Sequence, residues 1–388
     1  MAVYYYLCYT LAPRILVKKS GVFGAWHMKP KISAEKEEES AAFGQGYGVD
    51  PFSSYWWLKE WKQFNELISA LLVDPSVGKY VVATDIANFY DSIEVPRLIS
   101  KIRLKVHDKQ DLVDALYAFL SSWNRKHMGY MASTKGIPQE MISDASRILS
   151  HFYLQDFDEE FSKYCAAENL TYVRWSDDFL IFGGSNQKLQ SAVHHASRLL
   201  RDLGLNLNAS KTKYRTKRSL RQHRCLDILE AISSNNHAKV EKELIKVKRA
   251  ISQDLDIRLD TVFRAMIGYL SNNKIAQTSL NLSFIIDVAN NNLDLLHSLN
   301  NTQMMRYIEL TDYPLTTFDK LRKQICKADF GGPKASYLHM LRKYRTRLAA
   351  VGMSKSKANS AILEVEKYSS DSQVIRDFCV PLVKEAYK

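Results

Sequence analysis

The chain has 388 residues, of which 46% are hydrophobic and 25% are charged, proportions that exclude a disordered or fibrous protein. Basic residues outnumber acidic ones enough to give a net charge of +12, which favours a polyanionic partner. The five cysteines are scattered and form no C-x-x-C pair, so a structural zinc site and a disulfide framework are both disfavoured. The length allows two or three domains.

The first 17 residues are apolar and rich in tyrosine, and Lys18 and Lys19 follow them. A secretory signal peptide carries its positive residues before its apolar run, and a membrane-spanning helix needs about 20 apolar residues. We therefore expect this segment to belong to the folded body, and the protein to be cytoplasmic with no membrane partner.

Apolar residues at helical spacing come next and predict an amphipathic helix that ends before Asp74 and Pro75. These residues are Trp57, Trp61, Phe64, Ile68 and Leu71. A short strand rich in β-branched residues is predicted over 79–84, and Asp85 lies at its end.

Three further helices are predicted before the next strands. Asp91 and Glu94 have the spacing of a capping box, and Pro96 is typical of a helix start. Residues 109–121 form another helical pattern. A later helix carries an apolar stripe formed by Ala145, Ile148, Leu149 and Phe152.

Two short apolar runs, 172–175 and 179–182, flank Asp177 and Asp178 and predict a hairpin with both acids at its turn. A helix that Gly204 stops should follow, and then an alternating strand over 205–208. Strand, helix, hairpin, helix and strand build an α+β core, in which a mostly antiparallel sheet has helices on one face.

Beyond residue 237 the pattern is almost wholly helical. The predicted breaks lie near residues 272–273, 290–292, 313–314 and 331–333, where asparagine, proline and glycine concentrate. We expect an all-α C-terminal region.

The chemistry depends on three carboxylates. Aspartate is common in turns, because its side chain accepts hydrogen bonds from nearby backbone amides, so Asp177 and Asp178 alone are weak evidence of catalysis. Brought together with Asp85, they would hold two divalent cations about 3.5–4 Å apart, the arrangement that polymerases and nucleases use for phosphoryl transfer.

The joint set of motifs resembles that of reverse transcriptases. The motifs, all within residues 55–225, are D-I-A-N-F-Y-D at 85–91, K-G-I-P-Q at 135–139, W-S-D-D at 175–178 and the lysine motif at 203–213. The resemblance is greatest to the bacterial retron, group II intron and abortive-infection enzymes, and among these to the defence-associated ones. It implies a right-hand polymerase palm at 79–225, a fingers-like region at 1–78, and a helical thumb with an all-α C-terminal domain at 226–388.

The resemblance also implies metal ligands. Asp85 and Asp178 would bridge two Mg²⁺ ions, for which Mn²⁺ is a substitute, and Asp177 would complete the shell. The carbonyl of Ile86 would add a main-chain oxygen, since Mg²⁺ prefers oxygen ligands.

Three residues take nucleotide-binding roles by the same resemblance. Tyr90 stands where the family places an aromatic residue that excludes a 2′-hydroxyl, and Gln139 would lie beside the nascent base pair. Lys211, or Lys213 in its place, would meet the phosphates or protonate the pyrophosphate.

Two departures from the family pattern leave alternatives open, namely Trp175 in place of tyrosine and Glu140 in place of glycine. The first reading is an RNA-directed DNA polymerase that uses deoxynucleotides and a partner non-coding RNA in anti-phage defence. The second is untemplated or protein-guided DNA synthesis, and the third is a catalytically silent scaffold that binds RNA. A protein partner or a second copy of the chain is compatible with each.

Overall fold

A computed structural model describes residues 2–24, 55–123, 132, 134–139, 145–329, 331–370 and 372–388 of the chain. The chain divides into two compact units, Met1–Leu220 and Arg221–Lys388. Among the described residues, none of the helices has the length and apolar character needed to cross a bilayer.

The described residues of the first unit contain a five-stranded sheet in the order β1-β3-β4-β2-β5. Neighbouring strands are antiparallel, except that β1 runs parallel to β3. The predicted α+β class with a mostly antiparallel sheet is therefore confirmed. The strands are β1 (Val22–Phe23), β2 (Tyr80–Asp85), β3 (Thr171–Trp175), β4 (Asp178–Gly183) and β5 (Lys213–Thr216).

The helices of the first unit surround this sheet and include every helix predicted for this part of the chain. They are α1 (Ala2–Ile15), α2 (Tyr55–Val73), α3 (Phe89–Ser92), α4 (Val95–Lys105), α5 (Gln110–Ser122), α6 (Ala145–Ala167) and α7 (Asn186–Asp202). Helix α8 (Lys217–His223) follows β5. Gly204 comes just after α7 with a φ of +74°, the left-handed conformation in which glycine ends a helix.

Helices α6 and α7 share one core with the sheet. Val82, Tyr172 and Ile181 of the sheet are buried in the same cluster as Phe161 of α6 and Leu200 of α7. The rings of Phe161 and Tyr172 meet edge-on with 4.9 Å between centroids. Since β-branched and aromatic residues favour a pleated, half-buried surface, the apolar runs form strands, and the apolar stripes of the helices close the core.

The second unit is helical throughout its described residues and has its own core, which includes Phe263, Phe284, Phe318 and Tyr337. The breaks predicted near 272–273, 290–292 and 313–314 are confirmed, whereas the one predicted near 331–333 is wrong, because these residues form the first turn of a helix and the preceding helix ends at Lys327. Its α-helices are α9 (Leu226–Ser233), α10 (His237–Ser252), α11 (Leu259–Asn272), α12 (Ser279–Asn291), α13 (Asn301–Glu309), α14 (Pro314–Lys327), α15 (Gly331–Lys343), α16 (Arg345–Ala350), α17 (Lys355–Lys367) and α18 (Val380–Ala386). Short 3₁₀ helices occupy Lys274–Ala276 and Leu293–Ser298, and a π-helical turn occupies Ile375–Cys379.

The strand predicted over 205–208 is wrong. Leu207 makes only an isolated bridge with Ile86, and the strand of this region comes later, as β5. Leu205 is fully buried in the core. The alternation of apolar residues therefore reflects burial of the leucines, while the chain turns after Asn208.

The predicted capping box is also wrong, although the helix start is confirmed. Asp91 lies inside the short helix α3, and Glu94, the N-cap of α4, makes no side-chain capping bond. Its carboxylate instead lies 3.4 Å from Nε of Arg97. Pro96 in the first turn fixes where α4 begins.

Gly78 provides a test of this packing, because it abuts the end of β4. A Cβ atom at residue 78 would lie 2.1 Å from the carbonyl carbon of Gly183, a clash that only backbone movement relieves. We expect Gly78→Ala to lower the free energy of unfolding, measured by urea denaturation, by about 1–3 kcal/mol. Gly184→Ala is the matched control, because a Cβ there meets nothing within 4 Å, and equal losses in the two variants would contradict the packing.

Candidate active site

Asp85 and Asp178 lie directly opposite each other at the end of the β2–β4 pair. Residues in this relation point to the same face of a sheet, with Cβ atoms about 4.5–5.5 Å apart. Trp175 pairs with Asp178 on the other side, so the three side chains form a row across three strands. Asp85 is buried and Asp178 is exposed. Strand register thus brings together two carboxylates that are 93 positions apart in the sequence, at residues 85 and 178.

The predicted hairpin is confirmed, but only Asp177 lies in its two-residue loop, Ser176–Asp177, because Asp178 is already the first residue of β4. Ser176 has a φ of +55°, the left-handed conformation that tight hairpin loops use. The carbonyl of Asp177 accepts a hydrogen bond of 3.2 Å from the backbone amide of Ile86. This bond ties the loop to the residue that follows Asp85, so the third carboxylate belongs to the same site.

The site carries an excess of negative charge. Burial raises the pKa of the Asp177 carboxyl above its ordinary value, and the nearby Asp85 carboxylate raises it further against an opposing hydrogen bond from the Asp177 backbone. Ionised Asp177 therefore costs the fold stability unless a cation is close to it.

Lys211 supplies a cation at this site. Its Nζ donates a hydrogen bond of 2.7 Å to Oδ2 of Asp85. That bond raises the pKa of Lys211, and the charges of Asp85, Asp178 and Asp177 also contribute to the rise, so the ammonium stays charged. The Lys211 side chain is 66% exposed, whereas that of Asp85 is 5% exposed. Water can solvate the ammonium when it leaves Asp85 for another anion, but the buried carboxylate then needs another cation in its place.

The backbone around Lys211 is fixed to β2. The amide of Asn208 donates to the carbonyl of Asp85 at 2.9 Å, and its own carbonyl accepts from the Thr212 hydroxyl at 2.9 Å. The hydroxyls of Thr212 and Thr84 lie 2.8 Å apart. These bonds hold the lysine loop beside the carboxylates.

The second oxygen of Asp85, Oδ1, is buried and has no hydrogen-bond partner. A buried acceptor without a partner is costly, and a carboxylate oxygen is a preferred ligand of divalent cations such as Mg²⁺. Within the described ranges, no three His, Cys, Asp or Glu side chains are already grouped as metal ligands. Asp85, Asp177 and Asp178 fit a divalent cation by the chemistry of their oxygens, and the strand pairing places Asp85 and Asp178 side by side. The Ile86 carbonyl stays a predicted ligand.

The segment 134–139 lies beside Tyr90. The amide of Ile137 donates to the Tyr90 carbonyl at 3.0 Å. Gly136 has a φ of +89°, which explains the glycine at this position. Gln139 ends the segment and is exposed. Tyr90 and Gln139 therefore belong to adjoining pieces of chain, whereas Glu140 lies outside the described residues.

Trp175 packs against helix α2. Its ring centroid lies 4.8 Å from that of Trp61 and 5.4 Å from that of Phe64. Phe64 is buried and Trp61 is half-buried, and both contact Trp175, which joins α2 to the hairpin that carries the aspartates.

An ion pair that the sequence analysis missed lies behind the hairpin. Arg174 of β3 and Asp158 of α6 are 0% and 2% exposed, and they bind each other through Nε–Oδ1 at 2.8 Å and through Nη2–Oδ2. The available signal was the position of the Arg174 charge. Arg174 interrupts an apolar strand, where an unpaired charge is costly, whereas Asp158 has the acidic neighbours Asp156, Glu159 and Glu160, and only its burial in the fold distinguishes it.

The basic residues of 213–249 are only partly available for nucleic acid. Arg221 binds Asp227 and Glu230, and Lys246 binds Glu243. Lys213 of β5 is exposed. It pairs with Ala83, so its side chain points to the same sheet face as Asp85, two residues further along β2.

The fold combines helices with a mostly antiparallel sheet, and two paired strands of this sheet carry aspartates at their ends. This arrangement is that of the palm of a nucleic-acid polymerase. The family described as reverse transcriptase (RNA-dependent DNA polymerase) matches residues 48–243, just over half of the chain. The chain belongs to this family, which confirms the resemblance seen in the motifs.

The chain is also similar to the retron Ec83 reverse transcriptase of Escherichia coli, with 26% identity over 144 residues. The match covers 36% of this chain and 44% of that relative, so it spans less than half of the relative's length. Solved structures of telomerase in complex with a TWJ fragment of telomeric RNA are similar to 91% of the chain for Candida albicans and 92% for Candida tropicalis. These matches cover 58% and 59% of the telomerase chains, at 10% and 15% identity and TM-scores of 0.35 and 0.33.

The raised pKa of Asp177 leads to a prediction about stability. Asp177→Asn removes a charge that burial disfavours, so we expect the variant to unfold at higher urea concentration than the wild type at pH 7. The advantage should shrink as the pH falls through the pKa of Asp177, because the wild-type carboxyl then takes up its proton. Unfolding curves at pH 7 and pH 4 without divalent metal measure this difference, and a wild type that is the more stable at pH 7 would contradict it.

Proposed function

We propose that this chain is an RNA-directed DNA polymerase that joins deoxynucleotides by two-metal nucleotidyl transfer. The observation that carries the proposal is the register that sets Asp85 opposite Asp178, with Asp177 in the adjoining loop. Membership of the reverse transcriptase family supports RNA as the template and DNA as the product.

Under this proposal Asp85, Asp177, Asp178 and the Ile86 carbonyl would hold two Mg²⁺ ions, for which Mn²⁺ would substitute. When bound, such ions activate the primer hydroxyl and neutralise charge on the triphosphate and the leaving pyrophosphate. The free oxygen of Asp85, Oδ1, supports its role as a ligand.

The residues around the carboxylates take the nucleotide. Tyr90 excludes a 2′-hydroxyl, which selects deoxynucleotides, and Gln139 contacts the nascent base pair. Lys211 exchanges Asp85 for a phosphate oxygen, since its ammonium is charged and its side chain is mostly exposed. The short length of the present ion pair, 2.7 Å, places that ammonium within reach of anything bound at Asp85.

The nucleic acid lies along the same face of the sheet. Lys213 is exposed on that face and offers a cation to a phosphate backbone, a contact that is salt-sensitive and independent of base sequence. We assign residues 1–78 to a fingers-like region, 79–225 to the palm, and 226–388 to the thumb and C-terminal helical domain.

The biological role we propose is bacterial anti-phage defence, in the cytoplasm, with a non-coding RNA as partner. The retron relative and the helical unit that follows the palm support this role. A protein partner or a second copy of the chain is compatible with it.

The experiment that tests the activity is incorporation of labelled deoxynucleotides by purified protein, with and without prior RNase treatment, followed by sequencing of the product. We expect a product that copies a co-purified or added RNA and disappears after RNase treatment. A simple repeat or homopolymer that survives RNase would instead establish untemplated synthesis. A complete absence of incorporation with Mg²⁺ or Mn²⁺ would favour the RNA-binding scaffold.

The carboxylates are tested by substitution. Asp178→Ala should abolish incorporation, because it removes a ligand from the centre of the proposed metal site. Asp111→Ala, in the exposed first turn of α5, is the control and should retain wild-type activity. Full activity in the Asp178 variant would overturn the assignment of the site.

The role of Tyr90 is tested by sugar selection. Tyr90→Ala opens space next to the sugar, so we expect discrimination against ribonucleotides, measured as the ratio of kcat/KM values, to fall at least about tenfold. Tyr90→Phe keeps the ring and should keep the discrimination. Unchanged selection in Tyr90→Ala would show that another residue excludes the 2′-hydroxyl.

A further inference from the structure

The ion pair between Arg174 and Asp158 is part of a larger network on the far side of the hairpin. Tyr172 donates its hydroxyl to Oδ1 of Asp158 at 2.7 Å. Nδ1 of His151 lies 3.5 Å from Nη2 of Arg174. The ammonium of Lys19 donates to the backbone carbonyl of Asp158 at 2.7 Å. The network joins β3 to helix α6, so the guanidinium has a fixed position.

A contribution to stability does not by itself explain why the buried ion pair between Arg174 and Asp158 is present. Removing two charges from water costs several kcal/mol per ion, and apolar residues of similar volume often replace such a pair without loss. Burial disfavours the Arg174 charge, but the Asp158 carboxylate outweighs that effect, so the pKa of Arg174 lies above its ordinary value. The guanidinium is thus held charged at a place where an apolar side chain would pack as well.

Arg174 also makes one hydrogen bond outside this network, to the hairpin loop of the candidate active site. Its Nη1 donates to the backbone carbonyl of Ser176, the first residue of the two-residue loop. Ser176 has the positive φ of the loop, and the next residue is Asp177. Arg174 therefore bonds to the peptide group that links Ser176 to Asp177.

The helix that carries Asp158 also contacts another part of the proposed site. Ser146, in the first turn of α6, donates its hydroxyl to the carbonyl of Pro138, which precedes Gln139. The same hydroxyl lies 2.8 Å from the hydroxyl of Tyr4 on α1. Helix α6 is thus a common support for the Asp177 loop and for the segment that ends at Gln139.

We infer that Arg174, oriented by Asp158, is a positioning residue that fixes the Ser176–Asp177 peptide and so sets the Asp177 and Asp178 carboxylates for metal binding. This inference rests on the proposed function of those carboxylates. Arg174 touches neither metal nor nucleotide, and it acts only through the backbone of the loop. Groups that orient metal ligands from behind typically change metal affinity by about 10–100-fold when they are removed.

The decisive variant is the double substitution Arg174→Met with Asp158→Leu, which replaces both charges by apolar side chains. We expect the double variant to fold and to melt at a higher temperature than either single variant, since no charge is left unpaired and only the Tyr172 hydroxyl loses its acceptor. We also expect the dissociation constant for Mn²⁺, measured by electron paramagnetic resonance without nucleotide or nucleic acid, to rise about 10–100-fold. A folded double variant that binds Mn²⁺ like the wild type would overturn the inference.

Arg174→Lys provides a second route if the double variant does not fold. It keeps a cation beside Asp158, but a single ammonium cannot reproduce the fork that binds Asp158 and the Ser176 carbonyl together. Weaker Mn²⁺ binding in folded Arg174→Lys would support the inference, and unchanged binding would overturn it.

Two controls separate positioning from general damage and from failure of the proposed function. Arg347→Met with Glu309→Leu removes a paired Arg and Glu from the second unit, and it should leave Mn²⁺ affinity unchanged. Loss of Mn²⁺ binding in that control would overturn the inference, because any lost ion pair would then have the same effect. A wild-type protein that binds no Mn²⁺ and incorporates no nucleotide would contradict the proposed function, and the inference would fall with it.

Discussion

The site depends on the register between β2 and β4. Side chains alternate between the two faces of a strand, so a slip of one residue would move Asp178 to the opposite face from Asp85. The apolar pairs behind the aspartates oppose such a slip, because Val82 of β2 and its partner Ile181 of β4 are both buried. Core packing therefore fixes the relation between the two carboxylates before any ligand is present.

Once that register is set, three carboxylates lie at one end of the β2–β4 strand pair, which destabilises the fold. The raised pKa of Asp177 and the unpaired Oδ1 of Asp85 are both signs of this cost. Lys211 offsets part of it at the surface, and Arg174 brings a buried positive charge to the other side of the hairpin. Electrostatic destabilisation of this kind is common at functional sites, because the arrangement that activity requires is often not the most stable one.

The sequence predicted what local patterns determine. The strand that ends at Asp85, the hairpin loop at Asp177 and the helix stop at Gly204 all follow from β-branched runs and turn residues, and the structure confirms them. The strand assigned to 205–208 failed, because alternating leucines have the same pattern whether they pair in a sheet or only enter a core.

Long-range contacts could not be predicted from the sequence. Nothing local indicates that Lys211 binds Asp85, or that Arg174 reaches Asp158, since both pairs form only when separate elements meet. The exposure of Gln139 and the bond between Ile137 and Tyr90 depend likewise on how the segment 134–139 packs. Motifs could name these residues, but only the fold determines which atoms face each other.

The order of the strands has a consequence for the behaviour of the protein in concentrated solution. Within the described residues the sheet ends in β1 and β5, and a free strand edge invites pairing with the edge of another molecule. Strand β1 has only two residues, and β5 has four with an exposed Lys213. Short edges and a lysine at the rim are known protections against such pairing, so the basic residue that we assign to nucleic acid also protects the sheet from aggregation.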